Sequence, residues 1–145
     1  MNTSVIKNIL HNNHLKATKV RIDVLSVLID SESALSHHEI SRALTEAEVD
    51  KVTLYRTLKA FEKKRLIHKV ATKDRNWQYA MCVHHDQKLS IDNSHAHFIC
   101  DKCDKIFCLP GTNKITISGI HYPDNFIITR KELRLHGLCP DCQTN

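Results

Sequence analysis

Residues 36–64 read SHHEISRALTEAEVDKVTLYRTLKAFEKK, and this stretch predicts two consecutive helices. Ser36 and Glu39 form the S-x-x-E pattern, in which a hydroxyl and a carboxylate cap backbone N–H groups reciprocally at a helix start. After a polar turn, Asp50 can cap the second helix, which is predicted to run to about residue 64. Three apolar side chains fall on its inner face: Leu54, Leu58 and Phe61. The stretch therefore has the pattern of a helix-turn-helix.

The outer face of the second helix mixes cations with an aromatic and an apolar side chain: Val52, Tyr55, Arg56 and Lys59. Solvent alone would favour only charge on such a face. In a DNA major groove, Arg can pair with guanine or phosphate, Tyr and Val can pack on thymine methyls, and Lys can neutralise phosphate. The pattern favours a face that meets DNA, and a half-buried helix edge is the alternative interpretation.

The flanking segments complete a winged fold. Apolar residues at positions 20, 24, 27 and 28 have helical spacing and predict a core-facing helix over residues 18–30. Residues 66–70 and 77–81 are rich in strand-forming types and flank a polar segment, which predicts a hairpin. A helix in the groove with a basic wing on the DNA backbone is a common docking arrangement.

Charge and metal-binding residue types are divided unequally along the 145-residue chain, whose formal net charge is +5. Residues 1–80 contain 14 Lys and Arg and 9 Asp and Glu, whereas residues 81–145 contain 7 of each kind. All six cysteines and six of the eleven histidines lie in the second segment. This division indicates a polyanion-binding module joined to a metal-binding one. A solvated basic face with incidental thiols is the alternative.

Several functional classes are disfavoured. The chain is too short for a large multidomain enzyme, it lacks glycine-rich phosphate loops, and no Ser or Cys nucleophile has an evident base. We therefore expect no enzyme and no small-molecule substrate. The apolar runs fall far short of the roughly 20 residues that span a bilayer. No secretory signal is evident at the N-terminus, so we expect a cytoplasmic protein without membrane contact.

Two C-x-x-C knuckles predict a structural zinc site with four thiolate ligands: Cys100, Cys103, Cys139 and Cys142. Each knuckle can present two sulfurs to a tetrahedral ion, and Zn²⁺ would supply folding energy to a small sheet. Disulfides are disfavoured in a reducing cytosol, and a thioredoxin-like redox motif needs a single pair in a βαβ context. Neither alternative accounts for two matched pairs.

A looser second set lies near the junction of the two segments and comprises Cys82, Cys108, His68, His84, His85, His95 and His97. On a strand, His95 and His97 would point to the same face. Two such imidazoles beside a zinc knuckle favour a second metal site. Histidines that are merely solvated or hydrogen-bonded are the alternative.

Four segments together resemble the ferric-uptake-regulator family of metal-dependent transcriptional repressors: residues 15–21, 52–58, 95–103 and 137–139. The resemblance covers nearly the whole chain and implies an α+β fold. A winged helix-turn-helix over residues 1–81 would be followed by a hinge at 82–94 and a small α/β dimerisation domain with a four-cysteine zinc site at 95–145. It also implies a homodimer on a near-palindromic DNA operator of metal-uptake genes. The implied DNA-contacting residues are Lys16, Arg21, Lys51, Thr53, Tyr55 and Arg56.

The hinge ligands resemble those of the family's zinc-uptake regulators. Ala34 stands where the iron and peroxide sensors donate a His, and Cys108 stands where they have a carboxylate. The resemblance implies a regulatory site drawn from His68, Cys82, His95, His97 and Cys108. Thiolate and imidazole donors favour Zn²⁺ over Fe²⁺ or Mn²⁺, because hard ions prefer oxygen. Which of His84, His85, His95 and His97 completes the site stays open.

This chain also departs from the family pattern. Residues 83–94 form a longer segment, Lys131 replaces a His expected at an accessory site, and residues 109–122 predict a shortened or missing helix. An iron- or peroxide-responsive regulator is the first alternative function and would need oxygen ligands from Asp86, Asp92 or Asp104. A zinc-dependent thiol redox switch, with Cys82 and Cys108 as the reactive pair, is the alternative from another class.

Overall fold

The structure is a computed structural model that describes residues 2–44, 49–72, 74, 76–81, 95–109, 119–129 and 132–144. The chain divides into two compact units, residues 1–82 and 83–145. Among the described residues, no helix is long and apolar enough to cross a membrane.

The first unit contains four helices and a small sheet. In chain order its elements are α1 (Thr3–Asn12), α2 (Lys19–Asp30), β1 (Leu35–Ser36), α3 (His37–Ala43), α4 (Lys51–Lys63), β2 (Ile67–Ala71) and β3 (Trp77–Met81). The predicted capping box is present, because the Ser36 N–H donates to Glu39 Oε2 over 2.7 Å and the Glu39 N–H donates to Ser36 Oγ over 3.2 Å. The predicted helices α2, α3 and α4 and the predicted hairpin are confirmed, whereas α1 and β1 were not predicted.

The core of the first unit forms around the predicted inner face of α4. Leu54, Leu58 and Phe61 are buried and pack with Ile6 and Leu10 of α1 and with apolar side chains of α2 and α3. Each fully buried side chain of this kind contributes about 1.5–3 kcal/mol relative to an exposed one. Burial of the inner face leaves the opposite face of α4 directed to solvent.

The wing is a three-stranded antiparallel sheet in the order β1-β3-β2. Leu35 lies opposite Tyr79, and Val70 lies opposite Gln78. The central strand β3 is therefore tied both to the helical core, through β1, and to the outer strand β2.

The second unit contains β4 (Ala96–Cys100), β5 (Ile106–Leu109), β6 (Arg134–Gly137) and the short helix α5 (Pro140–Gln143). Its sheet has the order β5-β4-β6, with β4 antiparallel to β5 and parallel to β6. Because β4 and β6 are parallel, both strands end at the same edge of the sheet. The register places Cys100 opposite Gly137 at that edge. Of the segment predicted to lack a full helix, Leu109 ends β5, residues 110–118 lie outside the described residues, and residues 119–122 form neither helix nor strand.

Candidate metal centres and nucleic-acid interface

The four knuckle cysteines come together at the shared end of β4 and β6, and we call this group the cysteine site. Their sulfurs lie within 4.8 Å of one another, and the Sγ atoms of Cys103 and Cys139 are 3.8 Å apart. A Zn–S bond of about 2.3 Å in a tetrahedron places two sulfurs about 3.8 Å apart. Cys100 and Cys139 are buried, whereas Cys103 is exposed. The donor set and its spacing fit a structural zinc ion.

The thiols of this site differ in how readily they ionise. The pKa of Cys100 is lowered to about 6, first by the backbone N–H of Cys139, which donates to its sulfur over 3.4 Å. The pKa of Cys142 is raised to about 12, first by burial and then by hydrogen bonding with Cys139. Four neighbouring thiolates repel one another, so a divalent cation is needed to hold them all ionised.

A second group of ligand atoms lies at the other end of β4 and comprises His95, His97 and Cys108; we call it the His–Cys group. Its three ligand atoms lie within 4.8 Å of one another, and the two imidazole centroids are 4.6 Å apart. His97 lies directly opposite Cys108 in the β4–β5 ladder. The three side chains are half-buried, and they present two nitrogens and one sulfur on one face of the hairpin.

The other predicted regulatory ligands belong to the first unit or are not described. His68 is buried on β2 of the first unit, opposite Ala80. Cys82, His84 and His85 lie outside the described residues, as do Asp86, Asp92 and Lys131. Asp104, one of the oxygen ligands that an iron site would need, is exposed in the turn between β4 and β5. No carboxylate belongs to the His–Cys group as far as the described residues go.

The outer face of α4 is open to solvent, as the sequence predicts. Val52 and Tyr55 are 57% and 50% exposed, and Lys51 and Arg56 are exposed beside them. The Thr53 hydroxyl donates to Asp50 Oδ2 over 2.5 Å, so this predicted DNA contact is bonded to the residue that caps the helix. Two large apolar side chains on a solvated cationic face favour a macromolecular partner over water.

The start of α2 and the wing add further cations to the first unit. The Arg21 guanidinium donates to the backbone oxygen of Lys16 over 3.1 Å, which joins the two predicted contacts in one turn. On the wing, the Lys69 ammonium lies 5.5 Å from the ring centroid of Trp77, whose side chain is 50% exposed. Sequence reasoning did not single out this pair, although a lone tryptophan beside a polar turn is a detectable signal.

Comparison with known proteins decides the family. The protein-family model described as "Ferric uptake regulator family" matches residues 12–135. The chain belongs to the ferric uptake regulator family. The resemblance noted from sequence is therefore confirmed. Members of this family are dimeric, metal-dependent DNA-binding transcriptional repressors, so the chain is a metal-responsive transcriptional regulator and not an enzyme.

The relatives are named for different signals, peroxide in one case and zinc in another. The chain is 28% identical over 138 residues to the peroxide-responsive repressor of Staphylococcus saprophyticus, covering 92% of this chain and 86% of that protein. It is 26% identical over 140 residues to the zinc uptake regulation protein of Escherichia coli, covering 94% and 78%. A solved zinc uptake regulator in complex with zinc and DNA has a TM-score of 0.65 at 21% identity, covering 98% and 93%. This likeness shows the α+β family fold.

Proposed function

We propose that this protein is a zinc-responsive repressor of metal-uptake genes. The observation that carries the proposal is the His–Cys group, because its donors are two imidazoles and a thiolate. Such a set suits a borderline-soft ion such as Zn²⁺, whereas Fe²⁺ and Mn²⁺ favour oxygen ligands. The cysteine site would hold one structural zinc per chain, and the His–Cys group would bind the sensed ion.

The proposed mechanism needs a ligand from the first unit. Three donors leave one position of a tetrahedral ion open, and the family resemblance points to His68 and Cys82. A ligand from the first unit would bind that unit to the second when zinc is present. Two DNA-binding units of a dimer would then be held at the spacing of successive half-sites on a near-palindrome. Such coupling between metal and DNA is typically about 1–3 kcal/mol.

The proposed DNA surface is the outer face of α4 together with the start of α2. Tyr55 and Arg56 would contact base edges and backbone in the major groove, with Val52 packed beside them. The remaining predicted contacts, Lys16, Arg21, Lys51 and Thr53, would bind phosphates and orient the helix. The excess of cations over anions within residues 1–80 supports this assignment.

The experiment compares metals on one preparation. Duplexes selected from a random pool separately by the Zn²⁺-, Mn²⁺- and Fe²⁺-loaded protein serve as DNA, and the affinity for each is measured with Zn²⁺, Mn²⁺ or Fe²⁺ after chelation of labile metal. We expect zinc to restore binding at the lowest free concentration. The matched variants are Cys108→Ser, which removes the soft donor, and Cys108→Asp, which replaces it by oxygen. The Asp variant should shift the preference towards Mn²⁺ and Fe²⁺.

An iron- or peroxide-responsive regulator is the second candidate, because one of the most similar relatives is named a peroxide-responsive repressor. In that case Fe²⁺ or Mn²⁺ would restore DNA binding to the wild type and Zn²⁺ would not. Cys108→Asp would then leave the metal preference unchanged. The same titration therefore separates the two candidates.

A further inference from the structure

We infer that the cysteine site sets the register of the β4–β5 hairpin, so that the His–Cys group gains its geometry only when the cysteine site is filled. This inference rests on the proposed function, because it assumes that the His–Cys group binds metal. Under this inference the two sites fill with metal in a fixed order. The geometry of the sensing ligands also depends on the four cysteines, which never contact the sensed ion.

The His–Cys group depends on a single register of a short ladder. β4 and β5 form four residue pairs, in which His97 lies opposite Cys108. Successive side chains on a strand point to opposite faces, so a slip of one residue would turn Cys108 away from His95 and His97. Within the described residues β5 pairs only with β4, so these four pairs and the turn that joins the two strands decide where Cys108 lies.

The turn that determines the register carries the first knuckle. The Asp104 N–H donates to the Cys100 backbone oxygen over 3.0 Å, and the Cys100 N–H donates to the Lys105 oxygen over 3.0 Å. Asp104 has a φ of 57°, in the left-handed region that non-glycine residues adopt at a cost. An ion that binds both Cys100 and Cys103 would link two residues of this turn. It would thereby favour the turn conformation in which Asp104 is left-handed.

The second knuckle ties the same turn to β6. The Asp101 N–H donates to the Gly137 backbone oxygen over 2.8 Å, and the Cys139 N–H donates to Cys100 Sγ over 3.4 Å. One ion on four sulfurs would therefore hold the end of β4 against both neighbouring strands. β4 would then present His97 at a defined position relative to Cys108.

Linkage makes this dependence reciprocal. If a filled cysteine site raises the metal affinity of the His–Cys group by some factor, metal at that group must raise the affinity of the cysteine site by the same factor. Couplings of this kind are typically about 5- to 150-fold. The cysteine site is expected to fill first, because it offers four thiolates to one ion, whereas the His–Cys group offers three donors.

The test titrates Co²⁺ into metal-stripped full-length wild type, Cys103→Ser and Cys108→Ser, and reads thiolate-to-cobalt charge-transfer absorption. Cys108→Ser should keep the strong four-sulfur signal and lose a weaker one-sulfur component. The fold of Cys103→Ser is checked by circular dichroism. This variant should lose both absorption signals, or its His–Cys group should bind Co²⁺ roughly 5- to 150-fold more weakly. Retention of the one-sulfur component at wild-type affinity would overturn the inference. Identical spectra for wild type and Cys108→Ser would instead refute the proposed function.

A second measurement keeps the test decisive if Cys103→Ser does not fold. Labelled zinc in the cysteine site of the wild type is chased in zinc buffers that leave the His–Cys group either empty or full. Because release requires the turn at Cys100 to open, an ion at the His–Cys group, which holds the same register, should slow that release. In Cys108→Ser the two release rates should be equal. Equal rates in the wild type would overturn the inference.

Discussion

A β-carbon added to Gly137 would lie 3.3 Å from the Cε2 and Cζ atoms of Phe98. This separation is closer than side chains normally pack, so Gly137→Ala forces the Phe98 ring on β4 to shift. Phe98 is half-buried and its ring must give by only a few tenths of an ångström, so we expect a loss in the stability of the second unit at the lower end of the range for overpacked sites, about 1 kcal/mol. The measurement is the denaturant midpoint of zinc release from the cysteine site. In a Phe98→Leu background the same substitution should have a much smaller effect, and an equal effect would contradict the steric explanation.

Individual ligand types could be predicted from the sequence, but their pairing could not. The spacing of His95 and His97 predicts two imidazoles on one face, and their 4.6 Å centroid distance confirms this. That His97 lies opposite Cys108 depends on the turn at Asp104, whose left-handed conformation has no clear sequence signal. The chemistry of each ligand can be read from its own residue type. The register of β4 against β5 depends on the turn between them and on β6, which lies far away in the sequence.

The start of α4 depends on a carboxylate cap. Asp50 accepts hydrogen bonds from the backbone N–H groups of Val52 and Thr53 and from the Thr53 hydroxyl. These bonds lower the pKa of Asp50, with the Thr53 hydroxyl contributing most. A lowered pKa in the folded state means that the ionised cap stabilises the helix above the unfolded value of about 3.9. That stabilisation is lost as the pH falls through the folded-state value.

We therefore expect Asp50→Asn, which keeps a capping oxygen without the charge, to lower the melting temperature slightly at neutral pH. The difference from wild type should shrink as the pH falls below about 4. Asp50→Ala, which removes the cap, should melt lower than both at neutral pH. Fluorescence of Trp77, the only tryptophan, follows the first unit alone. A difference between wild type and Asp50→Asn that is constant with pH would show that the charge has no role.

Elements with a strong local pattern could be predicted, and elements held by tertiary contacts could not. α3 and α4 have capping residues and apolar spacing in the sequence, and the structure confirms both. β1 is two residues long and exists because it pairs with β3. β6 has mostly exposed side chains, so no alternation of apolar and polar residues marks it; its pairing with β4 defines it.

At the scale of the whole molecule, the fold does not determine which signal is sensed. Relatives named for peroxide and for zinc match this chain at 28% and 26% identity over most of its length. The family that they share with this chain is one of metal-responsive transcriptional regulators. The identity of the sensed ion depends on a few donor atoms, so the Cys108 thiolate outweighs overall similarity in our proposal.

In the proposed mechanism, zinc holds the two DNA-binding units of a dimer at the spacing of successive half-sites. This mechanism predicts how salt affects DNA binding. The logarithm of DNA affinity falls with the logarithm of salt concentration, with a slope of about −0.9 for each phosphate contact. If zinc lets both units of a dimer reach their half-sites, the zinc-loaded protein should have roughly twice the slope of the zinc-free protein on a full operator. On a single half-site the two slopes should be equal, because only one unit binds in either state. Fluorescence anisotropy at several salt concentrations measures both. Equal slopes on the full operator, despite tighter binding with zinc, would mean that zinc acts within each DNA-binding unit and not on the distance between the two.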